Sequence, residues 1–144
     1  MVPSVLVPVD GSPLSERALA FVATEFPDAS VHVLYVIDHV EASYESDWTS
    51  LSGYWDDMPE TATARGKTVL DRAQETANEA GLSVVATELA AGRPASNIVE
   101  YVNEKGIDHV VMGSHGRKGL SRLVLGSVAE RVLRRSTVPV TIVR

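Results

Sequence analysis

Five short runs of aliphatic and β-branched residues, separated by stretches with helical spacing, constrain this 144-residue chain more than any other feature. The runs are Ser4–Val9, Val31–Ile37, Leu82–Ala90, Ile107–Met112 and Val138–Val143. Each is too short for a buried helix and is bounded by turn residues, so each reads as a strand. Between the first two, Ser12 and Pro13 supply an N-cap and a first-turn proline, and Leu14, Ala18, Phe21 and Val22 share one helical face. A second helix carries Val69, Leu70, Ala73, Ala77 and Ala80, with Gly81 as its C-cap glycine. Gly92-Arg93-Pro94 opens a third, with Ile98, Val99 and Val102 on one face and Gly106 at its close. The last runs from Gly126 to Arg135 and is expected to turn Val128, Val132 and Leu133 inward. Arg134 and Arg135 fall in its final turn, where cations complement the helix dipole.

Strands alternating with helices imply parallel pairing through right-handed crossovers. The expected fold is therefore α/β: an open, doubly wound, five-stranded parallel sheet with helices on both faces. The length suits one domain over residues 1–144.

Composition removes several classes of function. A net charge of −6 argues against a general nucleic-acid binder. No apolar run approaches the roughly 20 residues needed to cross a bilayer. Met1-Val2-Pro3-Ser4 lacks the charged start of a signal peptide, and there are no cysteines for disulfides or a thiolate zinc site. A cytoplasmic protein without membrane or nucleic-acid partners is expected. His32, His39 and His109 show no metal-ligand spacing.

From Asp38 to Pro59 periodicity is lost, and the segment holds Trp48, Trp55, Tyr44 and Tyr54. So long a loop in a small domain is either a surface excursion or a functional element, here a lid on the ligand side of the second strand.

Ligands of open parallel sheets sit beyond the carboxyl ends of the strands, where the winding reverses. Two strand ends carry suggestive residues: Pro8-Val9-Asp10-Gly11-Ser12, and Met112-Gly113-Ser114-His115-Gly116-Arg117-Lys118-Gly119 followed by Leu125-Gly126-Ser127. Gly113 and Gly116 are expected to take strained backbone angles and to let a ligand approach closely. Gly126-Ser127 opens a helix, whose free N–H groups favour an anion. Arg117, Lys118 and Arg122 add positive charge. The plainer alternative is that these glycines only make turns and Ser127 only caps. The spacing is neither that of a P-loop nor that of a dinucleotide-binding turn.

The spacing met by Gly113, Gly116, Gly126 and Ser127 is G-x2-G-x9-G-[ST]. With Val7-Pro8-Val9-Asp10-Gly11-Ser12, Val33-Leu34-Tyr35-Val36-Ile37, Gly92-Arg93-Pro94 and Pro139-Val140-Thr141-Ile142-Val143, it resembles the universal stress protein family in its ATP-binding branch. The resemblance covers essentially the whole chain and implies a Rossmann-like sheet of the adenine nucleotide alpha hydrolase-like kind. It implies that Pro8, Val9 and Asp10 line the adenosine site and that Val36 and Met112 flank the adenine. Gly113, Gly116, Gly126 and Ser127 would hold ribose and phosphates, with Val128 offering its backbone N–H. Ser114, His115 and Arg117 are loop neighbours that could touch phosphate. ATP with Mg or Mn on its phosphates is the implied ligand.

Asp10 keeps three roles open: a ribose partner, a metal partner, or an Asx turn into the first helix. His115 has no partner acid in the motif and reads as a phosphate-side or solvent residue. No side chain reads as a dedicated base, so a nucleotide-dependent regulatory module with at most slow ATP hydrolysis leads. A dedicated metal-dependent ATP or pyrophosphate hydrolase, with Asp10 on metal and His115 assisting, is the alternative. A receiver-like domain fits poorly, since Asp10 lacks a neighbouring acid and Gly113-Ser114 stands where a phosphorylatable aspartate belongs. The apolar strand 138–143 would lie at the sheet edge and invite pairing with another chain. The resemblance implies a homodimer through it.

Overall fold

The computed structural model describes residues 2–38, 60–116 and 125–144. The expectations for the loop beyond Asp38, with its four aromatics, and for Arg117, Lys118 and Arg122 lie outside the described residues. In chain order the elements are β1 (Ser4–Pro8), α1 (Pro13–Glu25), β2 (Ser30–Asp38), α2 (Glu60–Glu79), β3 (Ser83–Gly92), α3 (Pro94–Lys105), β4 (His109–Gly113), α4 (Ser127–Arg135) and β5 (Val140–Val143).

The strands form one parallel sheet in the order β3-β2-β1-β4-β5. The winding therefore reverses at β1, and the carboxyl ends of β1 and β4 lie side by side. Val5, Leu6 and Val7 of β1 are fully buried because the strand is covered on both faces. Val5 and Val7 pack with Ala18, Leu19 and Val22 of α1 and Leu70, Ala73 and Ala77 of α2. Leu6 packs on the other face with Ile98 and Val102 of α3 and Ala129 and Val132 of α4.

Several boundaries and faces depart from expectation. β3 runs on to Gly92 because β2 continues to Asp38 and the two stay in register to the Asp38–Gly92 pair. Asp38 thus ends a strand rather than opening a loop. β5 begins only at Val140; Val138 is held in a turn with the Ser136 hydroxyl, which accepts its N–H at 3.1 Å. Leu133 is 42% exposed, and Ala129 takes the inward place beside Val132. Ala80 is exposed because α2 ends at Glu79, where Gly81 N–H bonds Asn78 O and Leu82 N–H bonds Ala77 O. Gly81 takes the left-handed φ of 81° that this cap demands. α2 also reaches the sheet through Gly66, where a Cβ would come within 2.5 Å of Leu89 and 2.9 Å of Tyr35.

Candidate functional site

At the carboxyl end of β1 the chain makes a tight bend into α1. Asp10 Oδ1 accepts the Ser12 N–H at 2.9 Å and the Ser15 hydroxyl at 3.0 Å, while Ser15 Oγ accepts the Asp10 N–H at 3.0 Å. Gly11, at φ 85°, makes this bend possible. The Asx-turn role of Asp10 is thus met by one carboxylate oxygen. The other, Oδ2, faces the second loop and lies 2.6 Å from where a Cβ on Gly116 would stand.

That second loop leaves β4 and returns at α4. Ser114 N–H bonds Val143 O of β5 at 2.8 Å, and Gly126 N–H bonds Ser114 O at 2.7 Å. The loop is thereby closed on itself and tied to the edge strand. Ser114 is buried, at 4% exposure, and its hydroxyl lies 3.1 Å from His115 Nδ1. It braces the loop from beneath.

The motif glycines do not take left-handed angles, contrary to expectation; those angles occur at Gly11, Gly81, Gly92 and Gly106. Their requirement is space. A Cβ on Gly113 would meet Leu14 Cβ at 2.7 Å, and one on Gly126 would meet Ser114 O at 2.9 Å and His115 Cα at 3.0 Å. Neither clash is with a side-chain tip that could swing away. At the start of α4 no side chain makes a capping hydrogen bond among the described residues, and Ser127 is exposed. The N–H groups of that first turn are thus left for a ligand or water.

Between the two strand ends lies a cleft of about 410 Å³, a size suited to a small molecule. Pro8, Val9 and Asp10 line it from the end of β1, Val36 from β2, and Met112, Gly113 and Gly116 from β4 and its loop. Gly126, Ser127 and Val128 line it from the start of α4. Val36 and Met112 belong to the same apolar cluster, on the α3 and α4 face, where Ile98 joins them in the wall. Ser114, by contrast, is buried and is not among the cleft residues. Arg117 lies outside the described residues.

The cleft also includes residues that sequence reasoning did not assign to it. Ser12 comes from the bend before α1, Ser15 from α1, Asp38 from the end of β2, and Ala62 and Arg65 from α2. Asp38 obeys the strand-end rule that identified Asp10, and the β2 boundary concealed it. Arg65 had no local signal, since only the crossover of α2 onto the sheet brings it there.

Histidines with displaced pKa values lie away from the cleft. Burial, and then the charge of Lys105, lowers His32, whose Nδ1 is 2.8 Å from the Tyr101 hydroxyl. Burial lowers His109, which contacts Thr141 Oγ1 at 2.7 Å through Nε2. Tyr101 is raised, first by burial and then by Glu88.

A model of the universal stress protein family matches residues 1–144. Universal stress protein MJ0531 of Methanocaldococcus jannaschii is 37% identical, the match covering 97% of this chain and 81% of the relative. Universal stress protein YxiE of Bacillus subtilis is 35% identical over 96% of this chain and 97% of its own. The solved structure of protein MJ0577 superposes with a TM-score of 0.80 at 28% identity, covering 99% of this chain and 96% of that one. More distant structures of the same fold hold cAMP, dAMP or AMP, at identities of 24%, 22% and 18% and TM-scores of 0.68, 0.67 and 0.67.

Proposed function

The chain belongs to the universal stress protein family, and we propose that its cleft binds an adenine nucleotide, ATP in particular, as the ligand of a regulatory stress-response module. One observation carries this reading. The Gly113–Gly116 loop is closed onto Gly126 by the bond to Ser114 O, so it frames an α4 N-terminus with no side-chain cap among the described residues. Beside this anion-favouring end stands the apolar wall of Val36 and Met112, which suits a purine ring. In this reading the adenine lies on that wall and the ribose faces Asp10 Oδ2. The phosphates meet the N–H groups of Ser127 and Val128. The related structures with cAMP, dAMP and AMP make an adenine nucleotide the natural ligand class to test.

Among the described residues no group of three or more His, Cys, Asp or Glu side chains is placed to hold a metal ion. A Mg or Mn ion accompanying the nucleotide would neutralise part of the phosphate charge. His115 lines the cleft, and its Nδ1 is engaged with Ser114. Binding with at most slow hydrolysis fits this arrangement better than a dedicated hydrolase.

The family match over 1–144 supports one nucleotide-binding domain. β5 stands at the sheet edge, and pairing of its free side with a second copy would give a homodimer. No helix among the described residues is long and apolar enough to cross a membrane, and a cytoplasmic site of action is the reading adopted. The test is mass spectrometry of the small molecules released when freshly purified protein is denatured. ATP or ADP near one per chain is expected. Protein released empty that also fails to bind added ATP and Mg overturns the proposal.

A further inference from the structure

We infer that Ser12 reads the sugar of the bound nucleotide: its hydroxyl and Asp10 Oδ2 together take the two ribose hydroxyls, so that the cleft selects ribonucleotides over deoxyribonucleotides. The inference rests on the adenine-nucleotide reading of the cleft and goes beyond it to a residue whose sequence position gave it only a capping role.

Ser12 occupies the N-cap position of α1 with an extended backbone, φ −78° and ψ 161°, yet its hydroxyl makes no capping bond. Its backbone does that work, with Ser12 O accepting the Ser15 N–H at 3.0 Å. Ser12 is only 8% exposed, and its hydroxyl makes no hydrogen bond among the described residues. It lines the cleft. A buried hydroxyl without a partner is costly, so one on a residue that lines a ligand cleft points to a polar group on the ligand.

Charge selects which group that is. The positive end of α1 already faces a carboxylate, since Asp10 Oδ1 holds the Ser12 N–H and the Ser15 hydroxyl. A phosphate brought here would meet that negative charge, whereas a neutral diol would not. Asp10 Oδ2 can only accept a hydrogen bond, while Ser12 Oγ can both give and accept, so together they match two vicinal hydroxyls. At α4 the first-turn acid, Glu130, is tied to Arg134 at 3.0 Å, leaving that end to the phosphates.

Ser12 also borders a smaller hollow of about 130 Å³ between α1 and α2. A water held there is the competing partner for the hydroxyl, and the experiment separates the two. Wild-type protein, Ser12→Ala and Ser12→Thr are titrated calorimetrically with Mg and ATP, 2′-deoxy-ATP or 3′-deoxy-ATP, with melting curves to confirm folding. Wild type should prefer ATP over each deoxy analogue by about 3- to 10-fold, the scale of one hydrogen bond. Ser12→Ala should weaken ATP by a similar factor and lose the preference over one analogue while keeping it over the other. Ser12→Thr, which keeps the hydroxyl, should restore it. Unchanged affinities in Ser12→Ala mean that water alone serves the hydroxyl and overturn the inference. Equal weakening for all three nucleotides assigns Ser12 to the turn and overturns it as well. A wild-type protein that binds none of them refutes the adenine-nucleotide reading itself, a result distinct from either.

Discussion

The helices α1 and α4 both start at the cleft beside a serine, Ser12 as the N-cap of one and Ser127 as the first residue of the other, and the two starts are built in opposite ways. The start of α1 is satisfied from within: Asp10 and Ser15 exchange hydrogen bonds across the bend, and Gly11 supplies the left-handed angle. The start of α4 is shaped but not filled. Its loop is closed by the Gly126–Ser114 bond and braced by Ser114 on Val143, while Ser127 stays exposed and no side chain caps this end among the described residues. In the proposed reading one end serves the fold and offers hydroxyl-reading groups, and the other receives an anion. A helix dipole alone does not make an anion site; what matters is whether the protein has already placed its own charge there.

The largest expected effect comes from breaking the α4 end. Gly126→Val places a side chain against Ser114 O and His115 Cα, both backbone atoms. ATP affinity measured by calorimetry should fall by about 100-fold or more, equivalent to about 2.7 kcal/mol, with helical circular dichroism retained. Normal binding by this variant would make the loop a structural turn only.

Next comes the α1 end, where the same kind of damage should appear as stability. Ser15→Ala removes both hydrogen bonds that Ser15 makes with Asp10. A cost of about 1–2 kcal/mol in chemical denaturation without nucleotide is expected. A neutral result would mean that the bend does not depend on the pair.

Ser127→Ala should do the reverse on a smaller scale. Its hydroxyl supports no cap among the described residues, so stability should change by less than about 0.5 kcal/mol, while ATP binding weakens by roughly 3- to 10-fold. A stability loss as large as that of Ser15→Ala would erase the distinction between the two ends.

Much of this arrangement was legible from the chain itself. β-branched runs and helical spacing gave the sheet and its helices, because burial on two faces leaves an unbroken apolar signature in residues such as Val5, Leu6 and Val7. Asp10 and the motif glycines stood out because they sit at strand ends. What stayed hidden was set by tertiary packing. The pairing of the Ser114 N–H with Val143 of the edge strand had no signal in the local sequence. Leu133 looked inward because the final helix is short and Ala129 carries the contact instead. Ser12 read as an ordinary cap, yet its side chain makes no capping bond.

The smallest effect separates the frame from the cleft. Folding lowers the pKa of His32 and His109 below the ordinary value of about 6.5. The unfolded chain therefore takes up protons first as pH falls, so stability is full above that value and declines as pH drops through it toward the folded values. The denaturation midpoint should fall between pH 7.5 and 5.5, and His109→Gln should flatten that slope. A slope unchanged in the variant would remove His109 from the explanation.

The most direct test of the division between the two helix starts is nuclear magnetic resonance of isotope-labelled protein titrated with adenosine and then with ATP and Mg. The shift differences that depend on phosphate should be largest at the amides of Ser127 and Val128, and small at those of Leu14 and Ser15. Phosphate-dependent shifts concentrated at Leu14 and Ser15, or none at the α4 end, would contradict it.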